Sequence, residues 1–291
     1  MMASQMPELS VIMVDVGWGD SILVESRDDF GDRRFGLIDC NDYDRQRTAL
    51  PFVKRYFERV SIPWKDIKHN FEWVLLTHGH ADHARGLKEM LKTFGTRHFW
   101  YPKSVASTTY GVLLDFAQNS DRVEHHQAVD ETKILSQPEV TFHAGIRILW
   151  PNFNQIDASN ENNNSVVLAL SLGQVSIVLT GDAEAEVWPQ IVSRLPPNLN
   201  YLQVPHHGGR NGVFDPANST PWLDHVRPSR TRLIMSSHVV PHGHPHPDVV
   251  AELTQRHFVN YRTDLNSHLI LTTKGDRVSV GYSHASGRLP R

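Results

Sequence analysis

Thr77-His78-Gly79-His80-Ala81-Asp82-His83 places three imidazoles and a carboxylate within six consecutive positions. His78 and His80 stand two apart, just after the short apolar run Trp73-Val74-Leu75-Leu76, so both rings can turn to one cation. Asp82 and His83 follow at once and can serve a second cation nearby. Zinc and manganese sites draw on these residue types. A polar surface turn is the bland alternative, and four potential ligands in so short a stretch count against it. The chemistry open to two adjacent cations is hydrolysis. A bound water is acidified to a pKa of about 7, and charge growing on an acyl or phosphoryl oxygen is neutralised.

The same arrangement recurs along the chain, with polar clusters just after apolar runs. Asp39 follows Phe35-Gly36-Leu37-Ile38, and Thr180-Gly181-Asp182 follows residues 175–179. Pro205-His206-His207-Gly208 follows Tyr201-Leu202-Gln203-Val204, and residues 238–246 follow Leu233-Ile234-Met235. Loops carried on a rigid scaffold are where sites are usually built. Cys40 is the only cysteine, which excludes a disulfide framework and a thiolate cage. With 18 histidines, imidazole is the expected ligand type.

The elements that must position these residues read as a mixture of strands and helices. Residues 11–14 and 21–24 read as strands around Gly17-Trp18-Gly19-Asp20, and residues 35–38 as a third. Leu50, Val53, Phe57 and Val60 fall at helical spacing, as do Leu87, Leu91 and Phe94, with Gly95 as a stop. Residues 152–164 read as a loop. Residues 165–172 and 175–179 read as strands joined at Gly173-Gln174. Residues 183–195 are predicted helical, kinked or broken at Pro189. Strands at 201–204 and 233–235, a helix at 247–258 and two short strands complete an α/β (α+β) pattern with large sheets.

A chain of 291 residues suits one large domain or two small ones. Its net charge of −3 lacks the basic balance of a duplex-binding protein, so a nucleic-acid contact needs a local patch. Lys54-Arg55 and Arg227, Arg230 and Arg232 are the basic clusters, and they read as solvated surface. The first ten residues do not read as a signal peptide. No stretch reaches the ~20 apolar residues of a membrane span, so no membrane partner and a cytoplasmic location are expected.

T-H-G-H-A-D-H matches the H-x-H-x-D-H signature of metallo-β-lactamase-fold hydrolases, and the chain resembles that family from about Leu9 to Tyr282. Six further segments are similar to motifs of the metal-hydrolase domain attached to ComEC/Rec2 DNA-uptake channels. They are Asp15-Val16-Gly17-Trp18-Gly19-Asp20-Ser21, Asn162-Asn163-Asn164-Ser165-Val166-Val167-Leu168, Leu179-Thr180-Gly181-Asp182-Ala183-Glu184, Val204-Pro205-His206-His207-Gly208, Gly243-His244-Pro245-His246-Pro247 and Tyr261-Arg262-Thr263-Asp264. No channel segment accompanies them, so a stand-alone soluble relative forming a single domain over residues 1–291 is expected.

The resemblance implies an αββα sandwich, two mixed β-sheets flanked by helices, with two divalent metal ions (Zn²⁺ or Mn²⁺) at one edge. His78 and His80 would bind the first metal, Asp82 and His83 the second, and Asp182 would bridge them. One of His206 and His207 would complete the second site. Asp39 would support the ligands, with Asp15 and Asn164 also in supporting motifs. Asp82 would orient the attacking water, and His246 would contact a phosphate or donate a proton. One departure stands out: many family members have a histidine where this chain has Glu161 to Asn164. His143 lies upstream, in a segment that reads as a strand, and is expected to be structural. The first site is then short of a nitrogen, or filled by Asn, Glu or water, and oxygen-rich coordination favours Mn²⁺.

Smaller signals are read conservatively. Gly17 and Gly19 suit a tight hairpin better than a phosphate approach. Ser236 lacks the order of a nucleophilic triad, and Trp18, Trp73, Trp150 and Trp222 read as core or pocket walls. The leading expectation is a phosphodiesterase or nuclease acting on single-stranded DNA or a similar polynucleotide, with Arg210 and Arg262 adding local positive charge. The alternative is a hydrolase of a small ester, lactone, thioester or small phosphodiester, which suits the acidic balance. A non-catalytic metal-binding module is the third reading.

Overall fold

The structure is a computed structural model, and it describes residues 6–42, 48–103, 108–132 and 140–282. Its strands are β1 (Glu8–Met13), β2 (Ile22–Arg27), β3 (Arg33–Ile38), β4 (Phe71–Leu75), β5 (Thr96–Tyr101), β6 (Val123–Ala128) and β7 (Gly145–Trp150). They continue with β8 (Val167–Leu172), β9 (Val175–Leu179), β10 (Leu199–Gln203), β11 (Arg232–Met235), β12 (Asn260–Arg262), β13 (Leu269–Thr273) and β14 (Val278–Tyr282). One sheet runs β14-β13-β1-β2-β3-β4-β5-β6 and the other β12-β11-β10-β9-β8-β7. Both are mixed. β3 to β6 are parallel, as are β9 to β12, and the remaining pairs are antiparallel.

Side chains alternate across each strand, so every strand feeds two layers. Val11 and Met13 of β1, Trp73 and Leu75 of β4, Leu168 and Leu170 of β8 and Ile177 of β9 share the core between the sheets. Ile12 and Val74 point to the opposite face, under the helices Ala49–Arg59 and Leu87–Phe94. Those helices present Phe52, Val53 and Phe57, and Leu87, Met90, Leu91 and Phe94, at the spacing of one buried stripe. The second sheet is covered on its outer face by Trp188, Trp222, Val249 and Leu253. With both faces covered, the strands read as continuous apolar runs. The architecture is the αββα sandwich.

Parallel strands leave their carboxyl ends at the same edge. β3 delivers Asp39 there and β4 delivers residues 77–83. In the facing sheet β9 delivers Asp182, and β10 delivers His206 and His207. The sheet topology therefore gathers four of the polar clusters that followed an apolar run.

The elements differ from the sequence expectations in three places. Residues 183–195 are not one helix: Pro189 sits in the first turn of the short helix Trp188–Ile191, where its missing N–H costs nothing. The 140–142 segment is not a strand. Thr141 N donates to Glu72 Oε1 and His143 N to Ser26 Oγ, so side chains take the donors a ladder would have used, and β7 begins at Gly145. β5, β6 and the helix Thr108–Asn119 were not anticipated. Gly95 does end its helix, at φ +66° with its N–H on Leu91 O. Gly173-Gln174 does join β8 to β9 as a two-residue hairpin.

Candidate metal centre

Asp82 and His83 are buried in a short helical turn, Ala81–Ala84, that begins just after His80. His83 Nε2 lies 3.3 Å from His207 Nε2, 3.6 Å from Asp82 Oδ2 and 3.4 Å from Asp182 Oδ1. His207 Nε2 lies 3.6 Å from Asp82 Oδ2 and 3.4 Å from Asp182 Oδ1. Metal–ligand bonds of about 2.0–2.2 Å place tetrahedral ligand atoms about 3.3–3.6 Å apart. Those five separations match the edges of a tetrahedral ligand set, all four atoms lie within 4.8 Å of one another, and the residues fit a cation.

Hydrogen bonds set which ring nitrogen faces that point. His83 Nδ1 donates to Asp39 Oδ2 at 2.7 Å, leaving Nε2 inward. Asp39 is fixed in turn by Thr77 N at 2.7 Å and Thr77 Oγ1 at 2.6 Å. The Thr77 hydroxyl, spent as a donor on Asp39, accepts from His78 Nδ1 at 3.2 Å, so His78 Nε2 also faces inward. His207 Nδ1 donates to Ser236 O at 2.9 Å. Such partners orient rings and fix tautomers in metal sites. His78 Nε2 and Asp182 Oδ1 are buried without a hydrogen-bond partner, as the inward atoms of a cation pocket would be.

Asp182 has two faces. Its Oδ1 meets His83 and His207, while its Oδ2 lies 3.8 Å from His78 Nε2 and 3.7 Å from His206 Nε2. His80 sits at the solvent side, its ring 4.8 Å from that of His78. Neighbouring histidines thus face opposite oxygens of one carboxylate. Both have left-handed backbone, φ +53° at His206 and +55° at His207.

The charges respond to this crowding. Burial would raise the Asp182 carboxyl, but the imidazoles of His207, His83 and His206 outweigh it and hold it well below the usual range. Asp82 is lowered likewise, by His83 and His207 against burial. Burial would lower His83, yet Asp182, Asp39 and Asp82 push it well above its ordinary value. His207 is pushed up to about 9 against burial by Asp182, Asp82 and Asp20. His78 goes the other way, lowered by burial and by His83.

The remaining predicted residues have other places. Asp15 Oδ1 accepts from Gly17 N and closes the turn after β1. Asn164 braces its loop, accepting from Asp157 N and donating to Asp157 O and Glu161 Oε2. The structure does not bring His246 to the cluster. It caps the helix Pro247–Gln255 through Asp248 N. His244 lies there instead, its ring 5.5 Å from that of His206, and burial with the nearby His206 and His207 lowers it to about 4. His143 lies 3.5 Å from Asp32, on the first sheet's β2–β3 turn. Arg210 is engaged by Asp248 at 3.0 Å and Arg262 by Asp264 at 2.9 Å.

Three contributors had no expected role at the cluster: Asp20, Gly19 and Ser236. Buried Asp20 accepts from Gln203 at 2.8 Å and stands 3.6 Å from His207 Nδ1. Ser236 offers its carbonyl to His207 while its hydroxyl donates to Gly19 O at 2.7 Å. Gly19, at φ +93°, presses on the metal motif: a Cβ there would lie 2.3 Å from Asp82 O. Close packing explains this glycine. Asp20 and Gly19 had a signal in the Asp15–Ser21 motif, whereas Ser236 lies in no such motif.

Residues 10–238 match the profile of the Metallo-beta-lactamase superfamily. The chain is 29% identical over 271 residues to ComE operon protein 3 of Bacillus subtilis (strain 168), covering 89% of this chain and 32% of that protein. It is 27% identical over 209 residues to Recombination protein 2 of Haemophilus influenzae, covering 72% of this chain and 23% of that protein. The chain thus spans a third or less of these relatives' lengths. The metallo hydrolase Igni18 from Ignicoccus hospitalis superposes with a TM-score of 0.54 at 15% identity, over 91% of this chain and 98% of that one, a likeness of fold. Among the described residues no helix is long and apolar enough to cross a membrane.

Proposed function

The chain belongs to the metallo-β-lactamase superfamily of hydrolases, and from that premise we propose that it is a metal-dependent phosphodiesterase or nuclease acting on single-stranded DNA or a similar polynucleotide. The observation that carries the chemistry is the tetrahedral spacing of Asp82, His83, Asp182 and His207. The substrate class is supported by similarity to ComE operon protein 3 across 89% of the chain and by the motifs shared with the domain of DNA-uptake channels. A metal core alone leaves the substrate open. The core shared by the two sheets supports reading residues 1–291 as one domain.

In this reading Asp82, His83, His207 and Asp182 would hold one divalent cation, and His78 and His80 would hold the other on the second face of Asp182. Zn²⁺ or Mn²⁺ suits these donors. When bound, the two dications acidify a water to a pKa near about 7 and neutralise charge on a phosphoryl oxygen. The chain's own part is positional. Asp182 spans the pair, and Asp39, Thr77 and Ser236 aim three rings inward. Asp82 is placed to orient the attacking water. His244, neutral at pH 7, takes the role first given to His246, contacting a phosphate oxygen or passing a proton.

One observation favours the small-substrate alternative: Arg210 and Arg262 are both engaged by carboxylates, so neither is free for a phosphate backbone. The deciding experiment reconstitutes metal-stripped protein with Mn²⁺, Zn²⁺ or Mg²⁺. Each form is offered single-stranded DNA, duplex DNA, a small phosphodiester, a lactone, a thioester and a β-lactam, with products read by mass spectrometry. Cleavage of the single strand or the small phosphodiester, strongest with Mn²⁺, is expected. Hydrolysis of the lactone or thioester with no phosphodiester product under any metal would overturn the proposal.

A further inference from the structure

In the stretch Glu161–Asn164, where a third nitrogen for the first cation was sought, Glu161 Oε1 accepts from Gly79 N at 3.0 Å and the three asparagines are committed elsewhere. Asn162 Nδ2 donates to Glu184 Oε1 at 2.7 Å, and Asn163 Nδ2 donates to Asp157 Oδ2 at 3.0 Å. The Asn164 side-chain amide is spent on its own loop through both its oxygen and its nitrogen. A nitrogen does approach the first site, from the opposite side. His206 Nε2 lies 3.7 Å from Asp182 Oδ2, beside His78 Nε2 at 3.8 Å from the same oxygen.

We propose that His206 supplies the nitrogen missing from the first cation's site and that Glu184 is the positioning residue that holds its ring. This rests on the two-cation reading given above.

Three observations converge on it. The left-handed turn at His206 and His207 points their rings to different oxygens of Asp182, so each histidine faces its own side of that carboxylate. Left-handed backbone is strained for a non-glycine residue, and two in succession persist only where the surroundings enforce them. His206 Nδ1 is a buried nitrogen without a hydrogen-bond partner, and Glu184 Oε1 stands 3.5 Å from it. A small closure there makes the carboxylate–histidine pair that orients metal-binding rings. Glu184 is itself buried and fixed by three amides, Asn162 and Asn211 at 2.7 Å on Oε1 and Asn160 at 2.9 Å on Oε2. The asparagines that stand where a histidine was expected thus act on the first site through Glu184 and His206.

The test is Co²⁺ titration of the metal-stripped full chain, followed by visible absorption and calorimetry. Wild type should take up two ions. His206→Asn, which keeps a residue tolerant of left-handed backbone, should lose one of the two tight ions and its absorption bands. Glu184→Gln should weaken the same ion by about 10- to 100-fold and shift its bands. The ion at Asp82, His83 and His207 should keep its affinity in both variants. Equal melting temperatures of the metal-free proteins exclude a folding defect. Two ions bound by His206→Asn at wild-type affinity and with wild-type bands would overturn this inference alone. A wild-type stoichiometry of one would overturn the two-cation reading, and the inference with it.

Discussion

His83 and Asp39 are joined by a 2.7 Å hydrogen bond between two wholly buried side chains, and that bond decides which nitrogen of His83 faces the cation pocket. In Asp39→Asn the amide oxygen can replace only one of the two carboxylate oxygens, so it cannot accept from His83 Nδ1 and from Thr77 N together. Either the ring flips its proton to Nε2 or the loop gives way. Metal affinity at the Asp82, His83 and His207 site should fall by about 10- to 100-fold. Titration of Asp39→Asn with Zn²⁺ checks this, and unchanged affinity would show that the bond does not set the tautomer.

Asp182→Ala should abolish hydrolysis while the protein stays folded. Asp182 is the carboxylate facing both histidine pairs. An orphaned buried charge costs roughly 3–5 kcal/mol, but the imidazoles here can release their protons, so the loss of stability should stay below that. Turnover and a denaturant titration together test it. Wild-type turnover in this variant would sink the two-cation mechanism.

Gly19→Ala should damage the site from outside it. Its Cβ would meet Asp82 O at 2.3 Å and Asn41 Cβ at 2.9 Å, at a φ of +93°. Strain and overpacking together should cost about 3 kcal/mol or more. Gly31→Ala is the control: its φ is +89° but nothing lies within 4 Å, so only strain of about 1–2 kcal/mol applies. Equal losses in the two variants would argue against the packing account.

The metal-free protein should lose stability as pH rises. His207 is pushed up to about 9, burial being outweighed by Asp182, Asp82 and Asp20. A raised imidazole pKa contributes stability that is fully present below the unfolded value of about 6.5 and is lost as pH rises through the folded value. Melting temperatures of chelator-treated protein at pH 6.5 and pH 9.5 should differ in that direction, and His207→Gln should shrink the difference. A melting temperature that rises with pH in both proteins would contradict the charge assignment.

The site was legible wherever a strand's carboxyl end delivered its ligands directly. Asp39, the 77–83 motif and Asp182 each follow an apolar run, and each lies in the cluster. What turns His206 and His207 to different oxygens of Asp182 is a pair of left-handed residues, and adjacency in sequence carries no trace of it. His246 resembled a site residue because it shares a motif with His244, but it ended as a helix cap. In the fold, β6 escaped notice because its residues 124–127 are exposed on an edge strand and show no apolar pattern. The reverse error at residues 140–142 arose because local apolar character says nothing about donors already claimed by Glu72 and Ser26.

The clustered side chains come from loops of both sheets, Asp39 and residues 77–83 from one, Asp182, His206 and His207 from the other. A cation held among them is a staple across the sandwich. An unfolded chain offers no such pocket, because the donors are up to 129 positions apart, from His78 to His207. Binding energy is then folding energy, worth about 4 kcal/mol when free ion exceeds its dissociation constant a thousandfold. Availability of the ion becomes a control on how long the protein survives proteases, independent of any turnover.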